Sequence, residues 1–560
     1  MVCLSSRLAW LTCLSRLKRA CLSLLRRLSL AAALACLSTA APEAMADGAL
    51  LASPPAGTVR GAWADAPAGI RVFRGVPYAQ PPVGARRFRP PTPLPPWTGT
   101  RPATAFAPAC PQNPAPDAFV WSRGPFEQNE DCLYLNIWTP AATDAALPVM
   151  VWLHGGSHTT GFGHARIFDG TRLASRGVVL VTINYRLGAL GFLAHPALAD
   201  GDEHGSTGNY GLLDAIAALT WVRDNIAAFG GNPDNVTVFG QSAGSQSVCA
   251  LTVSPLARGL FHRAIGQSAG CALPASASDA NGRERGVTLA GQLPGAGAAP
   301  DMARFLREVP VAALLRAQVA SGWENASRLV VDGHVIPEDP RAMLLAGGAA
   351  PVPLLLGSAA DEGVGLMPLN EALTAEELTN QLTARYGDQA ARLLTLYAPQ
   401  LAQSPAIAAR EIQADVFLTL GMREWATLQT RSGAPVFLYH MRHVPPAFRL
   451  YDPDNPDLAL KDGPRSVGAY HSGDLAYVFD NQHLVGMDWN DSDRMIASHM
   501  ADYWTAFART GKPAAGQRPP WPTYDPQQQA TLVFDNPVHV EHGVRTDKLH
   551  ALARGMGIME

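Results

Sequence analysis

The strongest constraint on how this chain folds is a series of short apolar runs, rich in β-branched residues and closed off by glycine or polar residues. They lie at 149–153, 178–185, 236–239, 354–356 and 436–439. Runs this short and this uniformly apolar fit strands buried on both faces, the condition of a parallel sheet. The intervening stretches have helical spacing. In 209–229, Leu212, Leu213, Ile216, Leu219 and Ile226 recur at helical intervals, and Gly230-Gly231 ends the pattern. Strands alternating with helices imply an α/β chain whose mostly parallel sheet carries helices on both faces. The stretches 275–350 and 365–430, rich in Ala, Leu and Arg, read as helices decorating one end of the sheet, where a lid and a substrate pocket would form. The segment 59–99, rich in Pro and Arg, reads as short edge strands and extended connections.

With 560 residues, 47% of them hydrophobic and 16% charged, the chain has material for a large buried core. A formal net charge of −3 gives no basic footprint for nucleic acid. No low-complexity linker and no internal repeat breaks the mature chain, so 47–560 reads as one domain. Residues 1–46 read as a targeting segment. Arg16, Lys18, Arg19, Arg26 and Arg27 precede an apolar stretch at 28–37, and Ala44-Met45-Ala46 forms an A-x-A cleavage pattern before Asp47. The apolar stretch is too short for a transmembrane anchor, so the expectation is export to the periplasm or the medium. Arg26-Arg27 as a degenerate twin-arginine signal stays open, and lipid attachment at Cys36 is a minor alternative.

Of eight cysteines, four precede residue 47; the others are Cys110, Cys132, Cys249 and Cys271. In an exported protein they suggest two disulfides with three possible connectivities, of which Cys110–Cys132 and Cys249–Cys271 close loops of about twenty residues. No Cys/His spacing suggests a metal site, and no cofactor motif is present.

The pattern G-x-S-x-G occurs twice with the same five residues, GQSAG at 240–244 and at 266–270. This motif serves nucleophilic chemistry when it forms a sharp strand-to-helix turn that lifts the serine hydroxyl into the open. Ser242 follows the strand run VTVF and precedes a helix-compatible stretch, whereas Ser268 leads into CALPASAS, where Pro274 opposes a helix. Ser242 is therefore the candidate nucleophile, and Ser268 a buried serine beside the site that hydrogen-bonds a catalytic partner. A serine nucleophile also needs donors where negative charge develops on the attacked carbonyl. His154-Gly155-Gly156-Ser157 directly follows the strand VMVWL, which makes the backbone N–H groups of Gly156, Ser157 and Ala243 the candidate oxyanion hole.

Several motifs resemble the type-B carboxylesterase/cholinesterase family of the α/β-hydrolase superfamily. They are RGVPY at 74–78, EDCLYLNIW at 130–138, HGGS at 154, NYRLGALGFL from Asn184, GNYGLLD from Gly208, FGGNP from Phe229, GQSAG at 240, DEG at 361, GAYHSGDLAYVF from Gly468 and FARTG at 507–511. The resemblance implies the α/β-hydrolase fold, a triad in chain order Ser242, Glu362, His471, and ester hydrolysis through an acyl-enzyme on small-molecule substrates. It selects Glu362 over its neighbour Asp361, and His471 from 15 histidines. It also pairs Cys110 with Cys132, implies an Arg87–Glu130 ion pair and places Ser268 near the acid. The chain departs from the family pattern at Gln241 and Asp474, where glutamate is common, and at Ser157, where a third glycine is usual. Trp121 is a poor counterpart of a choline-gripping aromatic residue, which weakens a cholinesterase reading. The competing readings are a non-catalytic adhesion or binding member of the same fold, and a specialised cholinesterase, amidase or polyester hydrolase.

Overall fold

The computed structural model describes residues 50–559 apart from 114–125, 142–145, 274–275, 326–327, 365, 447–464, 466–467 and 485–487. The expected targeting segment, Cys36 and Trp121 lie outside the described residues. Eleven strands form the main sheet: β1 (Ala62–Asp65), β2 (Ile70–Pro77), β3 (Tyr134–Pro140), β4 (Leu147–Leu153), β5 (Val179–Ile183), β6 (Gly231–Gln241), β7 (Arg263–Gln267), β8 (Leu354–Ala359), β9 (Val436–Met441), β10 (Ala530–Phe534) and β11 (His539–His542). Their spatial order is β11-β10-β9-β8-β7-β6-β4-β5-β3-β2-β1. From β5 through β10 every neighbouring pair is parallel; the antiparallel pairings are at the two margins.

The apolar runs alternate between two cores, as period-two side chains on a doubly covered sheet must. On β4, Val149, Val151 and Leu153 enter one core while Met150 and Trp152 enter the other. The same division holds for Leu354 and Leu356 against Leu355 on β8, and for Val436 and Leu438 against Phe437 and Tyr439 on β9. Helices α1 (Tyr210–Asn225) and α2 (Ala243–Val253) cover the first face. Helix α3 (Asp491–Thr510) covers the second with Ile496, Met500, Trp504 and Phe507. Leu378, Leu382, Leu393 and Ile412 of the 365–430 stretch form a third, separate cluster with Leu549 and Leu552 of the C-terminal helix.

Two sequence readings are modified. The Pro/Arg-rich segment contains an eight-residue strand, β2, second from the sheet's edge, with a register shift between Phe73 and Val76. Strand β6 starts at Gly231, five residues earlier than its apolar run, because the polar Gly231 already pairs with Leu147.

Both disulfides join the pairs expected from spacing, Cys110–Cys132 and Cys249–Cys271. The second fastens α2 to the segment after β7. Arg87 donates two hydrogen bonds, of 2.7 and 2.6 Å, to Glu130. The most deeply buried ion pair is Arg186–Asp214, which joins the chain after β5 to α1. Arg186 donates from its backbone N–H and from Nε and Nη2 to that one carboxylate, at 3.0, 2.8 and 2.6 Å. Removing one partner of such a pair leaves an uncompensated buried charge. Asp214→Ala is therefore expected to lower the unfolding free energy by ~3–5 kcal/mol. A urea denaturation midpoint indistinguishable from wild type would show that the guanidinium finds another partner.

Candidate active site

Strand β6 delivers Ser242 to the edge where the parallel strands end, and α2 begins at the next residue. Ser242 takes φ 55° and ψ −125°, a conformation that L-residues rarely adopt and that marks a site held by its surroundings. Backbone crowding supplies that hold. A Cβ on Gly244 would stand 2.0 Å from the Leu153 carbonyl oxygen, and one on Gly155 would stand 3.1 Å from Ser242 Cβ. Glycines there let the elbow, α2 and the loop after β4 touch main chain to main chain.

The second GQSAG lies beside the first in register, Gly240 opposite Gly266 and Gln241 opposite Gln267. Ser268 has nearly the same backbone twist, φ 57°. Its surroundings differ. No helix follows it directly, and it is 1% exposed against 8% for Ser242, although the N–H groups of both donate to the next strand's carbonyl. Among the described residues no hydrogen bond joins Ser268 Oγ to Ser242, Glu362 or His471. The supporting reach comes from the preceding residue, since Gln267 Nε2 donates to Asp474 Oδ2 at 2.8 Å. The motif also braces α2, because Ser245 Oγ donates to the Ala269 carbonyl at 2.6 Å.

Glu362 follows the end of β8 and is almost wholly buried. Its Oε1 accepts the Ala359 N–H at 2.7 Å, and its Oε2 lies 2.6 Å from His471 Nδ1. An Nδ1–H donated to the carboxylate leaves the lone pair of the neutral ring on Nε2, the state a general base requires. That Nε2 lies 3.1 Å from Gln241 Nε2, so the amide donates to it, while Gln241 Oε1 is buried without a partner among the described residues. Among the described residues Ser242 Oγ makes no hydrogen bond to the ring. Gln241, the residue before Ser242, is the group that meets the ring's Nε2.

Asp361, set aside as a catalytic acid by the sequence, has a different task. Its N–H donates to the Ala469 carbonyl at 2.9 Å, and its Oδ2 accepts the Ala469 N–H at 2.7 Å. This double bond clasps the histidine loop against the acid loop. Gly468, at φ 75°, is required beside it, since a Cβ there would stand 2.3 Å from Asp361 Oδ2. Asp474 completes the buried surroundings. Its Oδ2 accepts from Gln267 and from Tyr439 OH, at 2.8 and 2.9 Å, while Oδ1 has no partner among the described residues. Burial pushes its carboxyl up to about 6, against the pull of those two hydrogen bonds.

The loop after β4 carries three successive residues with positive φ, Gly156 at 106°, Ser157 at 54° and His158 at 57°. The carbonyl of Gly156 accepts from Thr159 and Thr160 N–H, both at 2.9 Å. Among the described residues, the N–H groups of Gly156, Ser157 and Ala243 have no acceptor within the protein, the condition the candidate oxyanion hole requires. His154 anchors the loop's start by stacking on Tyr185 at 4.4 Å, and Tyr185 OH donates to its carbonyl at 2.6 Å. Sequence reasoning named Asp361 as an alternative acid and Gln241 and Asp474 as departures from the family pattern, but missed the contacts they make. Gln267 was not singled out, although the repeat of GQSAG was a visible hint for the two glutamines.

The model of the carboxylesterase family matches residues 50–552. The chain is 36% identical to a Mus musculus acylcarnitine hydrolase over 493 residues, covering 83% of each chain. It is 36% identical to a fumonisin B1 esterase of Sphingopyxis macrogoltabida, covering 81% of this chain and 82% of that one. With the para-nitrobenzyl esterase of Bacillus subtilis it shares 33% identity over 87% of this chain and 96% of that one. Among solved structures, a Geobacillus stearothermophilus carboxylesterase superposes with a TM-score of 0.77 at 33% identity, covering 90% of this chain and 100% of that one.

The buried Asp474 makes stability depend on pH with a definite sign. Its folded value of about 6 lies above the ordinary 3.8, so the folded state binds the proton more tightly between those limits. Stability contributed by the protonated form is present below about pH 4 and lost as pH rises through about 6. Asp474→Asn is always neutral. Its stability relative to wild type should therefore improve by on the order of 2 kcal/mol between pH 4 and pH 7, whatever constant offset the new amide brings. Urea midpoints of both proteins across that range test this, and parallel curves would exclude it.

Proposed function

The chain belongs to the carboxylesterase family and hydrolyses carboxylic esters, and on that premise we propose that Ser242, His471 and Glu362 carry the reaction. The observation that supports this most directly is the buried 2.6 Å contact between Glu362 and His471 Nδ1, with Nε2 directed at the elbow of Ser242. In the first half-reaction His471 Nε2 takes the hydroxyl proton as Ser242 Oγ attacks the ester carbonyl. The N–H groups of Gly156, Ser157 and Ala243 receive the developing oxyanion, and Glu362 balances the imidazolium. The proton then passes from Nε2 to the leaving alcohol, and an acyl-enzyme remains. In the second half-reaction water repeats the attack, with His471 again as base, and the acid is released.

Gln241 adds a step particular to this chain. As donor it suits the neutral ring; once Nε2 is protonated, rotation of the amide brings the unpartnered Oε1 to accept from it. Gln241 thus accompanies both protonation states without a charge of its own. The buried Glu362–His471 pair beside the Ser242 elbow favours an enzyme over a non-catalytic binding module. The named relatives act on esters of very different shape, so the acyl and alcohol preferences belong to the pocket and not to the family. Two disulfides support an oxidising destination, either the periplasm or the medium. Among the described residues no helix is long and apolar enough to cross a membrane.

On p-nitrophenyl acetate, butyrate, octanoate and palmitate, Ser242→Ala should lose at least ~10⁴-fold in kcat and all labelling by an organophosphonate. Ser268→Ala should lose less than about tenfold. Labelling lost only in Ser268→Ala would assign the nucleophile to the other elbow. Gln241→Glu sets a carboxylate against Nε2 and favours the imidazolium, which is inactive as base. The acid limb of its kcat/KM profile should therefore move to higher pH, and an unmoved limb would remove Gln241 from contact with the base.

A further inference from the structure

The oxyanion donors come from two separate pieces of chain. Gly156 and Ser157 lie on the loop after β4, and Ala243 opens α2. Their mutual distance decides whether three N–H groups converge on one oxygen, and nothing in the covalent structure sets it. The loop is also in an unfavourable conformation, since Ser157 and His158 both hold positive φ without being glycine. Such a conformation persists only where its surroundings over-determine it.

Those surroundings converge on His158. Its carbonyl accepts the Gly188 N–H at 2.7 Å. Its ring, 2% exposed, lies against Phe192 at 4.8 Å and Tyr185 at 6.5 Å. Its Nε2 lies 2.9 Å from Ser247 Oγ. Ser247 is buried on α2, four residues after Ala243 and so on the same face one turn further along. The bond between His158 and Ser247 therefore runs from the loop with two of the donors to the helix with the third.

We infer that His158 and Ser247 are positioning residues of the oxyanion hole, a side-chain clamp that fixes the spacing between the Gly156 and Ser157 donors and the Ala243 donor. This rests on the proposed reading of the active site. Burial, the nearby Arg328 guanidinium and the His154 ring push the His158 imidazole down to about 3, opposed only by the Ala243 backbone; the ring stays neutral at working pH and acts through geometry, not charge. A hydrogen bond is directional, so it sets a distance and an angle that an apolar contact at the same place would leave loose.

The test is steady-state kinetics on p-nitrophenyl acetate with His158→Phe, Ser247→Ala, their double variant, His158→Gln and Ser242→Ala, each checked by thermal unfolding. His158→Phe and Ser247→Ala should each lower kcat about 10–100-fold, with KM within about threefold. The double variant should be no worse than the poorer single variant, because both remove one interaction. His158→Gln, which can still reach Ser247, should recover most of the loss. The clamp is overturned if folded His158→Phe and Ser247→Ala keep kcat within about twofold while Ser242→Ala is dead, or if their losses multiply in the double variant. Turnover retained in Ser242→Ala would instead overturn the site reading on which the clamp rests.

Discussion

The carbonyl oxygen of Leu153 is the closest point of contact between the end of β4 and the turn after Ser242. A Cβ on Gly244 would stand 2.0 Å from it, and one on Gly240 2.9 Å from it. This main-chain approach keeps α2 against the sheet, holds Ser242 at its unfavourable φ, and brings the loop after β4 beside the serine. The remaining parts of the site depend on it. If α2 stood even one side-chain thickness further out, the Ala243 N–H would leave the Gly156 and Ser157 donors, and Ser247 would lose His158. The strain at Ser242 is offset by the packing of α2 and the strands around it.

The central strands were legible in the sequence because both faces of each are buried, and burial on both faces leaves an unbroken apolar run. The margins were not. Strand β2 is written in Arg and Pro, and the hairpin of β10 and β11 gave no signal that was recognised. The start of β6 is polar and reads as a turn, although Gly231 pairs with Leu147. At an edge the sequence must satisfy solvent, covering loops and a partner strand together, so periodicity fades where pairing continues.

The site divides in the same way. Ser242, Glu362 and His471 were singled out because local motifs surround them. The groups that orient them are connected across long stretches of chain, 230 residues between Gln241 and His471 and 207 between Gln267 and Asp474. Asp361 was weighed only as an alternative acid, and its clasp on Ala469 becomes visible only when the loops after β8 and β9 are brought together. A carboxylate that hydrogen-bonds a backbone N–H across a fold has no sequence signature of its own.

The two copies of GQSAG show why a motif does not decide chemistry by itself. They share five residues, a register and a backbone twist, yet the strand order treats them differently. Reading across the sheet, β4 supplies the oxyanion loop, β6 ends at Ser242, β7 ends at Ser268, β8 leads to Glu362, and the chain beyond β9 carries His471. Neighbouring strands lie about 4.8 Å apart, so the strand that ends before Ser242 and the strand that leads to the acid are separated by two spacings, roughly 10 Å. That gap accommodates a serine side chain, an imidazole ring and a carboxylate in line. From Ser268 the acid strand is one spacing away, roughly 5 Å, which leaves no room for a ring between hydroxyl and carboxylate. Ser268 is also separated from the oxyanion loop by β6. The second copy sends its glutamine to Asp474, beyond His471 on the same loop. The two copies thus differ in their distance from the strand that leads to Glu362, a property of strand order that the pentapeptide does not contain.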